Sequence, residues 1–218
     1  MFKNILIGIF AAILVVAIGT AAYNVIGAQA AGAVAAPAAG NGNGNGQGGA
    51  GVTGTGADNG NGTGVSVLDI PASDLNADET AALLFMREEE KLARDSYLTL
   101  YASWHLPIFS KISNSESMHM SRIKYLLDRY GLPDPAAGRQ IGEFANPTLQ
   151  QLYNNLMIQG SQSATEALKV GVLIEEVDIQ DLQTYLAQTS KSDIINVYTN
   201  LMYASYNHLS MFTSQLGK

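Results

Sequence analysis

The chain has 218 residues and contains no cysteine. This absence excludes disulfides, thiolate zinc sites, cysteine-ligated iron–sulfur clusters and a cysteine nucleophile. Basic residues are also scarce, because 12 lysines and arginines stand against 19 aspartates and glutamates, for a formal net charge of -7. A protein that binds nucleic acid needs a basic face to neutralise phosphates. The composition therefore disfavours nucleic acid as a partner.

The first third of the chain also lacks charge. No charged residue occurs between Lys3 and Asp58. Two interpretations of the apolar start stay open: a secretory signal peptide over residues 1–30, with an exit sequence at Ala28-Gln29-Ala30, or an uncleaved membrane anchor that spans residues 5–26. Both place the remaining chain on the extracytoplasmic side, either at the cell membrane or secreted after cleavage.

Residues 31–68 are rich in glycine and asparagine and have little that could be buried in a core. Such a composition predicts a flexible, disordered linker. Residues 69–218 remain as one domain, which is long enough to bury a hydrophobic core.

Helix start and stop signals divide this domain. Asn76, with Glu79 three residues later, predicts a capping box at the start of the first long helix. A second helix is expected to begin near Pro107, a favourable first-turn residue, and to end at Tyr130, with Gly131 in the position after the cap.

The second half of the domain contains three further helical segments. A loop is followed by a short amphipathic segment that closes at Gly160. Ser163 with Glu166 predicts another capping box, which opens the third long helix. The fourth long helix is expected to start after Ser190 or Ser192. No segment alternates as a strand would, so the domain is predicted to be all-α.

The lengths of the connections predict how these helices are arranged. The first and second long helices, and the third and fourth, have short connections and should be antiparallel neighbours. About thirty residues separate the second from the third, which allows one long crossover. The expected fold is a ferritin-like four-helix bundle with one long crossover, preceded by an N-terminal hydrophobic helix and the linker.

Charged and polar side chains recur on the apolar faces of all four long helices. A buried charge costs several kcal/mol unless it is paired or bound to a metal. Bundle proteins with two metal ions use Glu from two helices and Glu-x-x-His from the other two. Carboxylates with imidazoles suit two ions of iron or manganese, and zinc is not excluded. The candidate metal ligands are Glu90, Glu116, His119, Glu175, Asp178 and His208.

The acidic run from Glu88 to Glu90 allows a second interpretation. A run of this kind usually forms a solvated helix face with pairs at i,i+4 spacing, here Glu90 with Arg94. The position of Glu90 on the apolar stripe favours a metal ligand instead, and both interpretations stay open.

Four motifs together resemble the DUF2202 family of ferritin-like domains over roughly residues 76 to 215. They are Arg87-Glu-Glu-Glu-Lys-Leu-Ala-Arg-Asp95, Ser115-Glu-x-x-His119, Ile174-Glu-Glu-x-Asp-Ile179 and Asn207-His208-Leu209. The resemblance implies the ferritin-like fold and a two-metal ancestry, without an established reaction. By position it implies a ligand set of Glu90, Glu116, His119, Glu175 and His208, with Tyr97 beside the centre.

The fourth helix departs from the expected ligand pattern. Ser205-Tyr-Asn-His208 stands where the pattern has Glu-x-x-His, and a serine cannot bridge metals as a carboxylate does. Asp178, one turn after Glu175, would restore four carboxylates and two histidines. Without that compensation the site holds one metal or none.

Two functions from different classes follow. The first is a two-metal protein that oxidises ferrous iron or reacts with dioxygen or peroxide near the outer face of the membrane. Glu116 and His119 would then bind one ion, His208 with Glu175 or Asp178 the other, and Glu90 would bridge or cap. The alternative is a non-catalytic, surface-tethered binding or structural module with a hydrogen-bonded polar core. The sequence leaves a homodimer open.

Overall fold

The computed structural model describes residues 73–217. The hydrophobic N-terminal segment and the glycine-rich linker lie outside the described residues. Residues 73–217 form five helices and no strand, which confirms the all-α prediction. Among these helices, none has both the length and the apolar character needed to cross a membrane. The helices are α1 (Ala77–Trp104), α2 (Pro107–Arg129), α3 (Pro147–Gly160), α4 (Ala164–Gln188) and α5 (Ser192–Leu216).

The caps of the first two helices agree with the sequence. The side chain of Asn76 accepts a hydrogen bond of 2.8 Å from the backbone N–H of Glu79, and the Glu79 carboxylate accepts one of 3.0 Å from the backbone N–H of Asn76. After α2, Gly131 has φ of 64°, and the N–H of Leu132 donates to the carbonyl of Leu127 at 2.9 Å. This left-handed glycine after the helix is the termination that the sequence predicts.

The predicted capping box at α4 is only half present. Ser163 accepts a hydrogen bond from the backbone N–H of Glu166 at 3.1 Å. The Glu166 carboxylate, however, accepts from Lys169 Nζ at 2.7 Å and from Gln159 Nε2 at 3.0 Å instead of reaching back to the cap. A nearby cation and amide therefore compete successfully with the backbone for this carboxylate.

The helices pack as two pairs. Helix α1 packs mainly on α2, and α4 packs mainly on α5, while α1 also contacts α4 and α2 contacts α5. The short helix α3 lies in the crossover and packs against α1 and α4. The four long helices therefore enclose a common interior.

Two apolar clusters fill this interior, one on either side of a polar layer that contains Glu116 and His119. The Phe109 cluster includes Tyr97, Phe109, Ile112 and Phe212, and the Leu83 cluster includes Leu83, Ile123, Leu182 and Leu201. On α2 the first cluster ends at Ile112 and the second begins at Ile123, so that Glu116 and His119 lie between them. Tyr101, one turn before the end of α1, is 38% exposed.

The outward face of α1 holds the crossover between α2 and α3. Arg87 donates from Nε and Nη2 to the two carboxylate oxygens of Asp134, each at 2.9 Å. The Glu88 carboxylate accepts hydrogen bonds from the backbone N–H groups of Ala145 and Asn146. These charge-assisted bonds fix two separate points of the crossover on one helix.

A buried ion pair adds a third point of attachment. Lys91 pairs with Asp95, donates to the carbonyl of Gln140 at 2.7 Å and lies 4.6 Å from the centre of the Phe144 ring. Asp95 also accepts from the backbone N–H of Gly142 at 2.9 Å. The pair is therefore compensated by further polar contacts, as a buried pair requires.

The solvated-face interpretation of the acidic run is wrong. Glu88, Glu89 and Glu90 are only 3%, 2% and 1% exposed. Arg94 donates to Asp95 at 2.7 Å, not to Glu90. The crossover covers one side of α1 and the bundle interior covers the other, so this stretch has no solvated face.

Candidate metal centre

Glu116 lies between the two histidines of the polar layer. Its Oε2 is 2.8 Å from Nδ1 of His119, and its Oε1 is 2.9 Å from Nδ1 of His208. The Glu-x-x-His step places Glu116 and His119 one turn apart on α2, while His208 reaches the carboxylate from α5. The two imidazole rings stack with centroids 5.7 Å apart. One carboxylate therefore faces both imidazoles.

Two further carboxylates flank this arrangement. Glu90 Oε2 of α1 is 3.3 Å from His119 Nδ1, and Glu175 Oε2 of α4 is 3.4 Å from His208 Nδ1. Two groups of potential ligands result, Glu90–Glu116–His119 and Glu116–Glu175–His208, each with its ligand atoms within 4.8 Å of one another. Glu116 belongs to both. Of the six candidate ligands, the structure brings five together and leaves Asp178 outside these groups.

The donor atoms fit a pair of metal ions. All five residues are at most 7% exposed. Within the described part of the chain, Glu90 Oε1 has no hydrogen-bond partner, whereas Glu116 Oε1 and His208 Nδ1 form an ion pair at 2.9 Å. An unsatisfied buried polar group costs about 1–3 kcal/mol, and a coordinated cation would remove that cost. Three carboxylates with two imidazoles are a donor set suited to iron, manganese or zinc.

The carboxylates control the protonation of both imidazoles. Burial lowers the pKa of His119, but the adjacent Glu90 and Glu116 carboxylates outweigh it and raise the pKa to about 11. Burial likewise lowers the pKa of His208, but Glu116 and Glu175 raise it to about 10. Without metal, each imidazole therefore carries a proton at neutral pH.

The three carboxylates differ among themselves. Burial raises the pKa of Glu116, but the adjacent His119 and His208 imidazoles outweigh it and bring it down to about 2. Burial raises the pKa of Glu90 and of Glu175 to about 7, each with one histidine opposing the rise and the Glu116 charge adding to it. Glu116 is thus the permanent anion at the middle of the site.

Neighbouring hydroxyl groups orient one half of the centre. Tyr97 donates a hydrogen bond of 2.6 Å to Glu175 Oε1. Ser115 Oγ lies 3.0 Å from His208 Nε2. The resemblance implies a tyrosine beside the centre, and Tyr97 lies in contact with one of the candidate ligands.

Asp178 contacts the serine that replaces the expected fourth-helix carboxylate. Its Oδ2 is 2.6 Å from Ser205 Oγ, which also lies 3.0 Å from the carbonyl oxygen of Leu201. Burial raises the pKa of Asp178 well above its usual value, and the charges of Glu90 and Glu175 add to this rise. The side chain is therefore held by α5 at the border of the centre.

Sequence reasoning missed two further buried acids, Glu89 and Asp181, which are 2% and 1% exposed. Burial, followed by the charges of Asp181 and Asp178, raises the pKa of Glu89 well above its usual value, so a protonated Glu89 can hydrogen-bond to Asp181. The sequence contains one indication that Asp181 is buried, because it follows Asp178 at the i,i+3 spacing that places two residues on the same helix face.

Comparisons with known proteins agree with the motifs. Residues 79–218 match the family described as Uncharacterized protein domain (DUF2202). The chain is 46% identical over 151 residues to the uncharacterized protein MJ0754 of Methanocaldococcus jannaschii, which covers 69% of this chain and 82% of that protein. The crystal structure of hypothetical protein MJ0754 from Methanococcus jannaschii is similar with a TM-score of 0.67 and 47% identity, over 68% of this chain and 85% of the other. The chain therefore belongs to the DUF2202 family.

Proposed function

We propose that Glu90, Glu116, His119, Glu175 and His208 hold two metal ions and that the domain oxidises ferrous iron or reacts with dioxygen or peroxide. The main support for this proposal is the position of Glu116, whose two carboxylate oxygens lie 2.8 Å from His119 Nδ1 and 2.9 Å from His208 Nδ1. One ion would be held by Glu90 and His119, the other by Glu175 and His208. Glu116 would be the shared ligand, whereas the sequence alone predicts that Glu90 bridges or caps.

The arrangement of the helices supports a ferritin-like assignment. Helices α1 and α2 form one closely packed pair, α4 and α5 form the other, and a crossover that contains α3 joins them. Each of the four long helices contributes at least one of the five ligands. This is the way in which ferritin-like bundles build carboxylate metal sites.

The chemistry follows from the donor set. Iron or manganese, if held by these carboxylates and imidazoles, would supply electron-transfer chemistry toward a small oxidant or reductant. The chain itself excludes bulk water, because apolar clusters lie on either side of the polar layer. Tyr97 holds Glu175 in place through its hydroxyl, and Glu116 keeps a negative charge between His119 and His208.

The predicted signal or anchor over residues 1–30 and the linker over residues 31–68 support an extracytoplasmic location for this domain. A tether of this length would keep the centre close to the outer face of the membrane while leaving it room to turn. The proposed substrate is accordingly a small species that is available outside the cytoplasm.

Metal content tests this proposal directly. Elemental mass spectrometry on the purified full-length chain should find about two ions of iron or manganese per chain. The His119→Ala/His208→Ala double variant should lose them. His105→Asn is the matched control, because His105 is exposed, lies outside the centre and has φ of 53°, which asparagine tolerates. Loaded protein should then oxidise ferrous iron or consume peroxide, and inactivity with both would reject the reaction.

A binding or structural module is the second candidate. The observation that favours it is the charge pairing already present without metal, with His119 and His208 set against three carboxylates. Under this alternative, His119→Ala lowers the free energy of unfolding equally with and without a chelator. A metal centre predicts that the chelator removes much of the difference between the variant and the wild type.

A further inference from the structure

We propose that the two halves of the centre are unequal, and that the Glu175–His208 half binds its ion tightly while the Glu90–His119 half binds an exchangeable one. This inference rests on the proposed two-metal function. It adds positioning roles for Tyr97 and Ser115, and it assigns the labile ion to α1 and α2.

The Glu175–His208 half is fixed by two hydroxyl groups. Tyr97 donates to Glu175 Oε1 at 2.6 Å, so the other oxygen, Oε2, is left facing His208. Ser115 Oγ lies 3.0 Å from His208 Nε2, so the other nitrogen, Nδ1, is left facing the carboxylates. In each ligand the atom away from the centre is engaged, and the atom toward the centre is available.

Tyr97 is itself rigid. Its side chain is 0% exposed, and its ring lies 6.1 Å from that of Phe109 and 5.3 Å from that of Phe212. A ring fixed by two aromatic neighbours cannot change rotamer without disturbing the core. The hydroxyl therefore holds Glu175 in one orientation before any ion arrives.

The Glu90–His119 half lacks equivalent support in the described part of the chain. Glu90 Oε1 makes no hydrogen bond there. The polar contacts of His119 with Glu90 and Glu116 both use Nδ1, and no described residue hydrogen-bonds to its Nε2. Neither ligand is therefore oriented by a hydrogen bond at its far atom, and this half lacks the outer-shell partners that strengthen metal binding.

The expected size of the difference follows from outer-shell ligands in other metal sites. Loss of such a hydrogen-bonding partner typically weakens metal binding by roughly 10- to 100-fold. Two steps alone would not establish the assignment, because two cations that share Glu116 repel each other even in a symmetric centre. Variants must therefore show which half gives which step.

Titration of the full-length protein with Co²⁺ provides the test, read by calorimetry and by the visible absorption of bound cobalt. Wild type should bind two ions in steps that differ by about 10-fold or more. Ser115→Ala and Tyr97→Phe should each weaken the tight step roughly 10- to 100-fold and leave the weak step unchanged. Ser115→Thr, which keeps a hydroxyl, should restore the tight step.

Three further variants complete the design. Ser117→Ala is the matched control, because Ser117 lies on the same helix and its hydroxyl, among the described residues, donates only to the Ser113 carbonyl at 2.9 Å. His119→Ala should leave the tight step, whereas His208→Ala should remove it. Circular dichroism on each variant confirms that the helices are intact.

The outcomes separate this inference from the function on which it rests. If wild type binds two ions but the tight step persists in His208→Ala, the assignment of the tight ion to the Glu175–His208 half is wrong. The same holds if neither Ser115→Ala nor Tyr97→Phe weakens the tight step. In both cases the two-metal proposal remains valid. A wild-type protein that binds no cobalt, iron or manganese would overturn both.

Discussion

Asp178 is hydrogen-bonded to Ser205, with 2.6 Å between the aspartate Oδ2 and the serine hydroxyl oxygen. The sequence predicts that Asp178 replaces the carboxylate that the fourth helix lacks at Ser205. In the structure, Asp178 is instead hydrogen-bonded to that serine. It is also absent from both groups of potential ligands.

Asp178→Asn should therefore leave metal stoichiometry at two ions per chain. Asparagine has nearly the same shape and still offers an oxygen to the Ser205 hydroxyl, so the packing at α5 is preserved. Elemental mass spectrometry on the loaded variant measures the outcome. Glu175→Gln serves as the comparison, since loss of that ligand should lower the metal content. A loss of one ion in Asp178→Asn would make Asp178 a ligand after all.

Metal binding should release protons. The ions must displace the protons of His119 and His208, whose pKa values are about 11 and 10, while Glu90 and Glu175, with pKa about 7, are partly protonated near neutrality. We expect about two protons per two ions at pH 8, rising toward about four at pH 6. Calorimetry in two buffers of different ionisation enthalpy counts them. A release that does not change with pH would contradict these assignments.

Stability of the metal-free protein should fall as pH rises. The pKa values of His119, His208, Glu90 and Glu175 are all raised by the fold. The native state therefore binds more protons than the unfolded state, and that stabilisation is lost as the protons leave. The loss runs from about pH 4.5 to 7 for the two glutamates and from about pH 6.5 to 11 for the two histidines.

Thermal unfolding in chelator between pH 5 and 9 measures this slope. The His119→Ala/His208→Ala variant should show a smaller decline above pH 6.5, because it lacks the two imidazoles. Loaded wild type should show the opposite tendency, with the metal adding more stability at higher pH because fewer protons compete.

The buried ion pair of α1 should contribute far more to stability than an exposed pair. Asp95→Ala leaves Lys91, which is 1% exposed, without its carboxylate. Removal of one partner from a buried pair costs about 3–5 kcal/mol. Urea unfolding should show this loss. Asp128→Ala is the control, since Asp128 pairs with Lys124 on the surface, and exposed pairs contribute about 0.2–1 kcal/mol.

Helical periodicity was enough to predict on which side of each helix the candidate ligands lie. The Glu-x-x-His step predicted that Glu116 and His119 share one face of α2, and the structure buries both. Glu175 is buried as well, whereas its neighbour Glu176 is exposed. His208, predicted on the apolar face of the fourth long helix, is buried too, as is Ser205. Phase along a helix is a local property, so one sequence suffices to read it.

Other features depend on contacts that periodicity does not contain. The burial of Glu88 and Lys91 arises because the crossover folds back over α1. The choice of Glu116 as the carboxylate between two histidines depends on the approach of α5 toward α2, and the orientation of Asp178 depends on Ser205. Each of these features depends on a contact between segments that are far apart in the sequence, and the spacing of residues along one helix does not predict such contacts.

The lack of a solvated face in the middle of α1 has a practical consequence for anyone who wishes to label this protein. The eight consecutive residues from Met86 to Ala93 are all at most 7% exposed. A fluorophore, spin probe or affinity tag attached in that stretch would disturb the contacts with the crossover, a candidate ligand or the packed interior. Lys124 and Asp128, whose side chains are 47% and 63% exposed, offer attachment points that leave both intact.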